Sequence, residues 1–194
     1  MTSSTALAAV PAVAASPLVS FPGVARRLGA AAHLLLPHLE QGRQVNAATL
    51  RAAMERALGS SDTSGVWDWK TAYDACEAAT VLFLRKYGKA LLRKAGSPAK
   101  ALPLLERIAG LLPTHTRRSI ESEAFQQFST PMPLGLAVAT AAAITPGDRV
   151  LEPSAGTGLL AILAEIAGGS LVLNELAETR AGILSLLFPN IGVT

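Results

Sequence analysis

Two acidic residues and the glycine-rich loop between them are the residues of this chain whose types and spacing could do chemistry. An apolar, strand-like run ends at Glu152, small residues with Gly156 and Gly158 follow, and residues 159–166 form an apolar, helix-like stretch. A second short apolar run ends at Glu175. This order of strand, tight turn, helix, strand and acid is typical of the opening of a nucleotide-binding α/β sheet, where a bare loop backbone lets a ligand approach.

The charge at the end of the first strand bears on which nucleotide such a loop would bind. Gly156, Gly158 and Ala161 fit the dinucleotide fingerprint, and Glu175 lies at the spacing of a ribose-binding acid. A dinucleotide would place its pyrophosphate over the loop, where Glu152 adds a repulsive negative charge. S-adenosylmethionine carries no phosphate and has a cationic sulfonium and an ammonium group, which an acid attracts. The residues favour S-adenosylmethionine, and a fragment of an NAD-binding oxidoreductase remains the alternative.

Hydrophobic spacing predicts a series of helices before this loop in the chain. Asn46 and Ser97 are expected N-caps, a polar linker is expected over residues 61–65, and the third helix is expected to break near Gly88. The helices are predicted over residues 24–39, 47–58 and 67–94 and from residue 98 to about residue 112. No strand pattern precedes residue 126, so residues 23–125 are predicted to be a helical region.

The C-terminal part has the alternation of an α/β unit. A turn at residues 145–148 should deliver the chain into the first strand. The sequence predicts a helix over 134–144, strands over 149–151 and 171–174, a helix over 177–188 and the first residues of a third strand at 191–193. The fold class is therefore α/β, with a helical N-terminal region followed by the first strands of a doubly wound sheet.

Composition and charge narrow the classes of function. Half of the residues are hydrophobic and 16% are charged, so burial can drive folding. Residues 1–125 carry a net positive charge, but its cations are spread over the helices, which favours a solvated surface over nucleic-acid contact. Cys76 is the only cysteine and the three histidines are scattered, so neither an internal disulfide nor a metal site is predicted.

The first residues and the lengths of the apolar runs bear on location. Residues 1–22 are rich in Ala, Val, Ser and Pro and lack a basic start, which indicates a disordered tail rather than a signal peptide. No apolar run is long enough to span a bilayer. We expect a cytoplasmic protein with no membrane partner, and the sequence leaves its oligomeric state open.

Three motifs in order carry a resemblance to a known family. Residues 127–131, Gln-Phe-Ser-Thr-Pro, the Pro-Gly-Asp turn and the loop 152–158 resemble the N-terminal motifs of class I S-adenosylmethionine-dependent DNA adenine methyltransferases. The resemblance covers residues 126–194 and implies a partial cofactor-binding methyltransferase domain. It implies that Glu175 holds the ribose hydroxyls, and that the methionine part is held by Phe128, Thr130, Glu152, Pro153, Ser154, Ala155, Gly156, Thr157 and Gly158. Taken alone, Thr130 also fits a helix cap.

The helical region resembles a narrower family. Residues 65–70, 75–78 and 113–118 are similar to the N-terminal region of bacterial strawberry-notch-like proteins, which join a methyltransferase-like domain to a DEAD/DEAH-type helicase. This implies DNA as a partner through the full-length relatives. Ser154 stands where many methyltransferases have a first glycine, which a small residue can replace.

One departure from the family concerns catalysis. The Asn/Asp-Pro-Pro-aromatic loop that follows the family's fourth strand is absent from this sequence, which stops at the third. We therefore expect a truncated, cofactor-binding portion with no catalytic residue of its own. A non-catalytic helical interaction module with a vestigial nucleotide-binding fold is the second interpretation.

Overall fold

The computed structural model describes residues 22–113 and 129–194, and within them the chain is rich in α-helix with two short parallel strands. Phe128, residues 114–118 of the stretch similar to strawberry-notch-like proteins, and nearly all of the predicted tail lie outside the described residues. The elements in order are α1 (Pro22–Glu40), α2 (Ala47–Leu58), a 3₁₀ turn (Asp62–Ser64), α3 (Trp69–Ala95), α4 (Pro98–Ala109), α5 (Met132–Ala141), β1 (Arg149–Glu152), α6 (Leu159–Ala167), β2 (Ser170–Leu173) and α7 (Glu178–Leu187).

The helix starts predicted from capping residues are confirmed. The Asn46 side chain accepts a hydrogen bond from the Thr49 backbone N–H at 2.9 Å, which satisfies one of the N–H groups left over at the start of α2. The Ser97 hydroxyl oxygen does the same for the Lys100 N–H at 3.3 Å at the start of α4. Helix α2 ends at Gly59, whose left-handed backbone closes the last turn. The linker predicted over residues 61–65 contains the 3₁₀ turn.

The predicted break near Gly88 is wrong, because α3 runs unbroken from Trp69 to Ala95. Gly88 is buried against α6, and a Cβ atom at this position would lie 2.6 Å from the Ile166 Cδ1 atom. The glycine therefore lets two helices approach closely, at the modest cost that glycine carries inside a helix. The local sequence shows the glycine, but it does not show that Ile166 lies against it and makes a glycine necessary.

The two strands form a parallel pair. Arg149 to Glu152 of β1 pair with Ser170 to Leu173 of β2, and α6 makes the crossover between them. The predicted third strand is present only as one parallel bridge between Leu173 and Val193, supported by the Thr194 N–H donating to the Leu173 carbonyl at 3.1 Å. The order is therefore β1, β2, residue 193, and β1 lies at an edge within the described residues.

Helix α3 is central to the packing. It contacts α1, α2 and α4 on the helical side and α6 and α7 of the following unit, while α6 also contacts both strands. The buried hydrophobic residues of the two parts form one continuous cluster. Leu35, Leu84, Ile162 and Leu184 are among its most buried members. Helices of the N-terminal region thus pack against α6 and α7, and α6 in turn packs against the strands.

Several side chains of α3 have structural roles in the helical region. Cys76 is buried, and burial raises the pKa of its thiol, which keeps the sulfur protonated and unreactive. Two bases in the second half of α3 form ion pairs with other helices: Arg85 pairs with Glu165 of α6, and Lys86 pairs with Glu40 of α1. In the described part of the chain no helix has the length and apolar character needed to cross a membrane.

The first prediction concerns Leu151, which is 64% exposed on β1. An apolar side chain on an uncovered edge strand promotes association between molecules. We expect Leu151→Thr to keep the strand, to reduce concentration-dependent self-association in light scattering, and to change the free energy of unfolding by less than about 1 kcal/mol.

Leu173→Thr is the matched control on β2, because Leu173 is fully buried. It should lower the free energy of unfolding by about 2–4 kcal/mol in urea titrations, since it removes buried apolar volume and buries a hydroxyl. Equal losses of stability in the two variants would show that the exposed side of β1 is covered in solution.

Candidate functional site

The carboxyl ends of β1 and β2 meet at a cleft of about 520 Å³. We call residues 153–158, which leave β1 and lead into α6, the glycine loop. Of the residues predicted to bind a cofactor, those that line the cleft are Thr130, Pro153, Ser154, Ala155, Gly156, Thr157 and Glu175. Glu152 and Gly158 adjoin the cleft without lining it, and Phe128 lies outside the described residues.

Backbone hydrogen bonds fasten the glycine loop to the end of β2. The Ala155 N–H donates to the Asn174 carbonyl at 2.9 Å, and the Asn174 side-chain amide donates to the Pro153 carbonyl at 2.7 Å. The Gly158 N–H donates to the Ala155 carbonyl at 2.8 Å, which closes the turn. Asn174 was given no role from the sequence, although its place just before the strand-end acid is a usable signal.

The two glycines of the loop are required for different reasons. Both have left-handed backbones, with φ of 56° at Gly156 and 94° at Gly158. A Cβ atom at 158 would lie 2.5 Å from the Phe188 ring, whereas a Cβ atom at 156 would meet nothing nearer than the Arg180 Nη1 atom at 3.8 Å. Gly158 therefore packs against the protein interior, and Gly156 leaves space at the cleft.

Glu175 holds the loop from the β2 side. One of its carboxylate oxygens accepts the Gly156 N–H at 2.7 Å and the other accepts the Ala177 N–H at 2.8 Å, just before α7. Each carboxylate oxygen has two lone pairs, so both can accept a further donor. The ribose contact implied for Glu175 stays a prediction, and the structure adds a role in fixing the loop.

Glu152 directly precedes the loop in the chain, and Thr130 lies in the stretch before α5. The Glu152 Oε1 atom is 3.4 Å from the Ser154 backbone nitrogen, which directs the carboxylate along the start of the loop. The interpretation of Thr130 as a helix cap is wrong, because Pro131 is the N-cap residue of α5 and no side chain caps this helix. Thr130 instead lines the cleft.

Two carboxylates of α3 reach the site from the helical region. The Thr157 hydroxyl donates to Glu77 Oε2 at 2.7 Å. Arg180 of α7 donates to Asp74 Oδ1 through Nε at 3.0 Å and Nη2 at 2.9 Å, and the Lys70 ammonium lies 3.5 Å from Asp74 Oδ2. No sequence motif predicts a role for Asp74 or Arg180, although an acid inside the apolar stretch 72–81 is an available signal.

The burial of these charged side chains affects their pKa values. Asp74 is fully buried, and Arg180 and Glu77 are nearly so. Burial raises the pKa of the Asp74 carboxyl, and the charge of Arg180 opposes that rise. Burial alone would lower the pKa of Arg180, but the charges of Asp74 and Glu77 outweigh it and raise that pKa. The guanidinium therefore stays charged beside the cleft.

The second prediction separates packing from backbone strain at the glycines. Gly158→Ala combines a left-handed backbone with overlap against Phe188, so we expect a loss of about 2–4 kcal/mol in the free energy of unfolding. Gly147→Ala is the control, because Gly147 also has a positive φ, 108°, and nothing within 4 Å of a new Cβ. It should cost about 1 kcal/mol in the same urea titration. Equal costs would contradict the close packing at Gly158.

Comparison with known proteins assigns no family to this chain. Neither the models of known protein families, nor the curated proteins, nor the solved structures contain a match to this chain.

Proposed function

We propose that this chain is the S-adenosylmethionine-binding portion of a nucleic-acid methyltransferase-like protein of the strawberry-notch type. The observation that carries the proposal is the meeting of a strand-end acid, a left-handed glycine loop and a second strand-end acid around one cleft. A parallel pair of strands with a helical crossover, and a bridge where a third strand would begin, supports the doubly wound, Rossmann-like interpretation of the sheet.

The size and charge of the cleft suit this ligand. A cleft of about 520 Å³ is within the range of small-molecule sites. Glu175 lines it, Glu152 adjoins it, and Arg180, the one cation among the described lining residues, is paired with Asp74. Among the described residues that line or adjoin the cleft, a pyrophosphate would meet two acids and no uncommitted positive charge. A sulfonium and an ammonium group would be attracted to the same acids.

The residues of the chain would bind and orient the cofactor. Thr130 and the glycine loop would face its methionine part, and Glu175 would face its ribose. The bound cofactor supplies a methyl group on a positively charged sulfur, ready for transfer to a nucleophile. Binding in a fixed orientation is the contribution of this chain, because much of such a reaction's acceleration comes from alignment.

A second candidate, a helical interaction module with a vestigial nucleotide-binding fold, is favoured by one observation. Glu175 already accepts two backbone N–H groups, so the glycine loop is held without any ligand. A loop whose hydrogen bonds are made within the protein can keep its conformation even after the ability to bind a ligand has been lost. Binding measurements on the intact chain distinguish the two candidates.

The third prediction is that the chain binds S-adenosylmethionine and S-adenosylhomocysteine more tightly than NAD, as measured by isothermal titration. Glu152→Gln should weaken S-adenosylmethionine binding by about three- to tenfold, because it removes a negative charge that the sulfonium and ammonium groups favour. The control is Glu106→Gln on the exposed side of α4, which should change nothing. Tighter binding of NAD would contradict the assignment of the cofactor.

The fourth prediction concerns turnover. The sequence contains no Pro-Pro pair, and so lacks the Asn/Asp-Pro-Pro-aromatic motif that orients the target base in the resembled family. We expect no incorporation of labelled methyl groups into mixed-sequence DNA by the purified 194-residue chain. Incorporation above a no-protein control would show that catalytic groups lie elsewhere in the sequence.

A further inference from the structure

We infer that Asp74 and Glu77 of α3 are positioning residues of the cleft. The helical region therefore contributes to the ligand site by holding its loop in place. The inference rests on the proposed function where it concerns the ligand. The structural part of the inference is that α3 fixes the glycine loop, and it rests only on contacts within the protein.

The first contact is between Glu77 and the middle of the loop. Thr157 lies between the two left-handed glycines, and its hydroxyl donates to Glu77 Oε2 at 2.7 Å across 80 positions of sequence. Thr157 is 3% exposed and Glu77 is 7% exposed. A hydrogen bond to a carboxylate away from water is among the stronger ones in proteins. It fixes the Thr157 side chain and, through it, the backbone on either side.

The second contact is made through Arg180. Asp74 accepts two N–H groups of the guanidinium, at 2.9 and 3.0 Å, so the group is held in one orientation. In that orientation the Arg180 Nη1 atom lies 3.8 Å from the position that a Cβ atom at Gly156 would take. The guanidinium is therefore held beside Gly156, while Glu77 supports the loop at Thr157 through a hydrogen bond. One helix thus bonds directly to Thr157 and orients the guanidinium that lies beside the preceding residue of the loop.

Stability alone gives a poor account of these carboxylates. Burying an ion pair costs desolvation, and an apolar pair of similar volume is often as stable or more stable. A carboxylate differs from an apolar side chain in directing its partner through hydrogen bonds of defined geometry. Directed contacts are what a binding loop needs, because its backbone must be held in place before the ligand arrives.

The test is a set of substitutions at Glu77 and Thr157 read by hydrogen exchange of the amides of residues 154–158 in the ligand-free chain. Glu77→Leu and Thr157→Val each remove the hydrogen bond, and we expect loop exchange to become about tenfold faster or more. The double variant should be no faster than either single one, because the same contact is lost. Glu77→Gln and Thr157→Ser retain an acceptor and a donor and should restore slow exchange.

Thr80→Val is the matched control. Thr80 is a buried threonine of α3 whose hydroxyl donates to the Cys76 carbonyl rather than to the loop. Its substitution should leave loop exchange unchanged, whatever it does to overall stability in urea. Should Glu77→Leu fail to fold, Thr157→Val compared with Thr157→Ser decides the question. Unchanged loop exchange in the variants that remove the bond, or additive effects in the double variant, would overturn the inference.

Titration with S-adenosylhomocysteine separates this inference from the proposed function. We expect Glu77→Leu to weaken its binding about tenfold and Glu77→Gln to keep most of it. No binding by the unsubstituted chain would refute the proposed function, while the exchange data would still decide whether α3 fixes the loop. Equal binding by the unsubstituted chain and by folded Glu77→Leu would leave the proposed function standing and overturn the positioning role.

Discussion

A carboxylate buried in the middle of a helix must be matched by donors, and in this chain the donors come from distant positions. Helix α3 is buried along residues 72–81, so Asp74 and Glu77 face neighbouring elements rather than water. Their partners Arg180 and Thr157 follow 106 and 80 positions later. An unmatched buried charge costs several kcal/mol, roughly 3–5 when one partner of a pair is removed. The carboxylates lie in the helical region, and the donors that they need lie in the part of the chain with the strands. Their hydrogen bonds therefore fix these two parts relative to one another.

Close helix contacts make these long-range bonds possible. Gly88 lets α3 approach Ile166 of α6, and a Cβ atom at Gly182 of α7 would lie 2.8 Å from the Ala25 Cβ atom of α1. Close packing of this kind tolerates little shift in helix position. Hydrogen bonds, by contrast, weaken steeply with distance and angle. Apolar contact sets the spacing of the helices, and the carboxylates of α3 then set the orientation of the glycine loop.

The sequence predicts those features that local chemistry determines. Caps such as Asn46 and Ser97 are recognisable because the partner N–H lies three residues away. The glycine loop is recognisable because its residue types must allow a left-handed backbone. The role of Gly88 and the pairing of Asp74 with Arg180 depend on residues brought together by folding, so no local pattern contains them. The predicted strand at 191–193 is one bridge in the structure, because local propensity does not determine how many residues pair with a neighbouring strand.

The hydrogen bonds of Glu175 bear on how a loop fixed in advance can still accept a ligand. Its two oxygens each accept one backbone N–H, which uses one lone pair on each oxygen and leaves one on each. Two neighbouring hydroxyls of a ribose could donate to those lone pairs without displacing Gly156 or Ala177. Binding would then require no rearrangement of the loop, and the ordering cost that normally opposes binding would already be met in folding. Since Glu77, and Asp74 through Arg180, also support that ordering in the proposed arrangement, the affinity of the cleft would depend on two residues of α3 that do not line it.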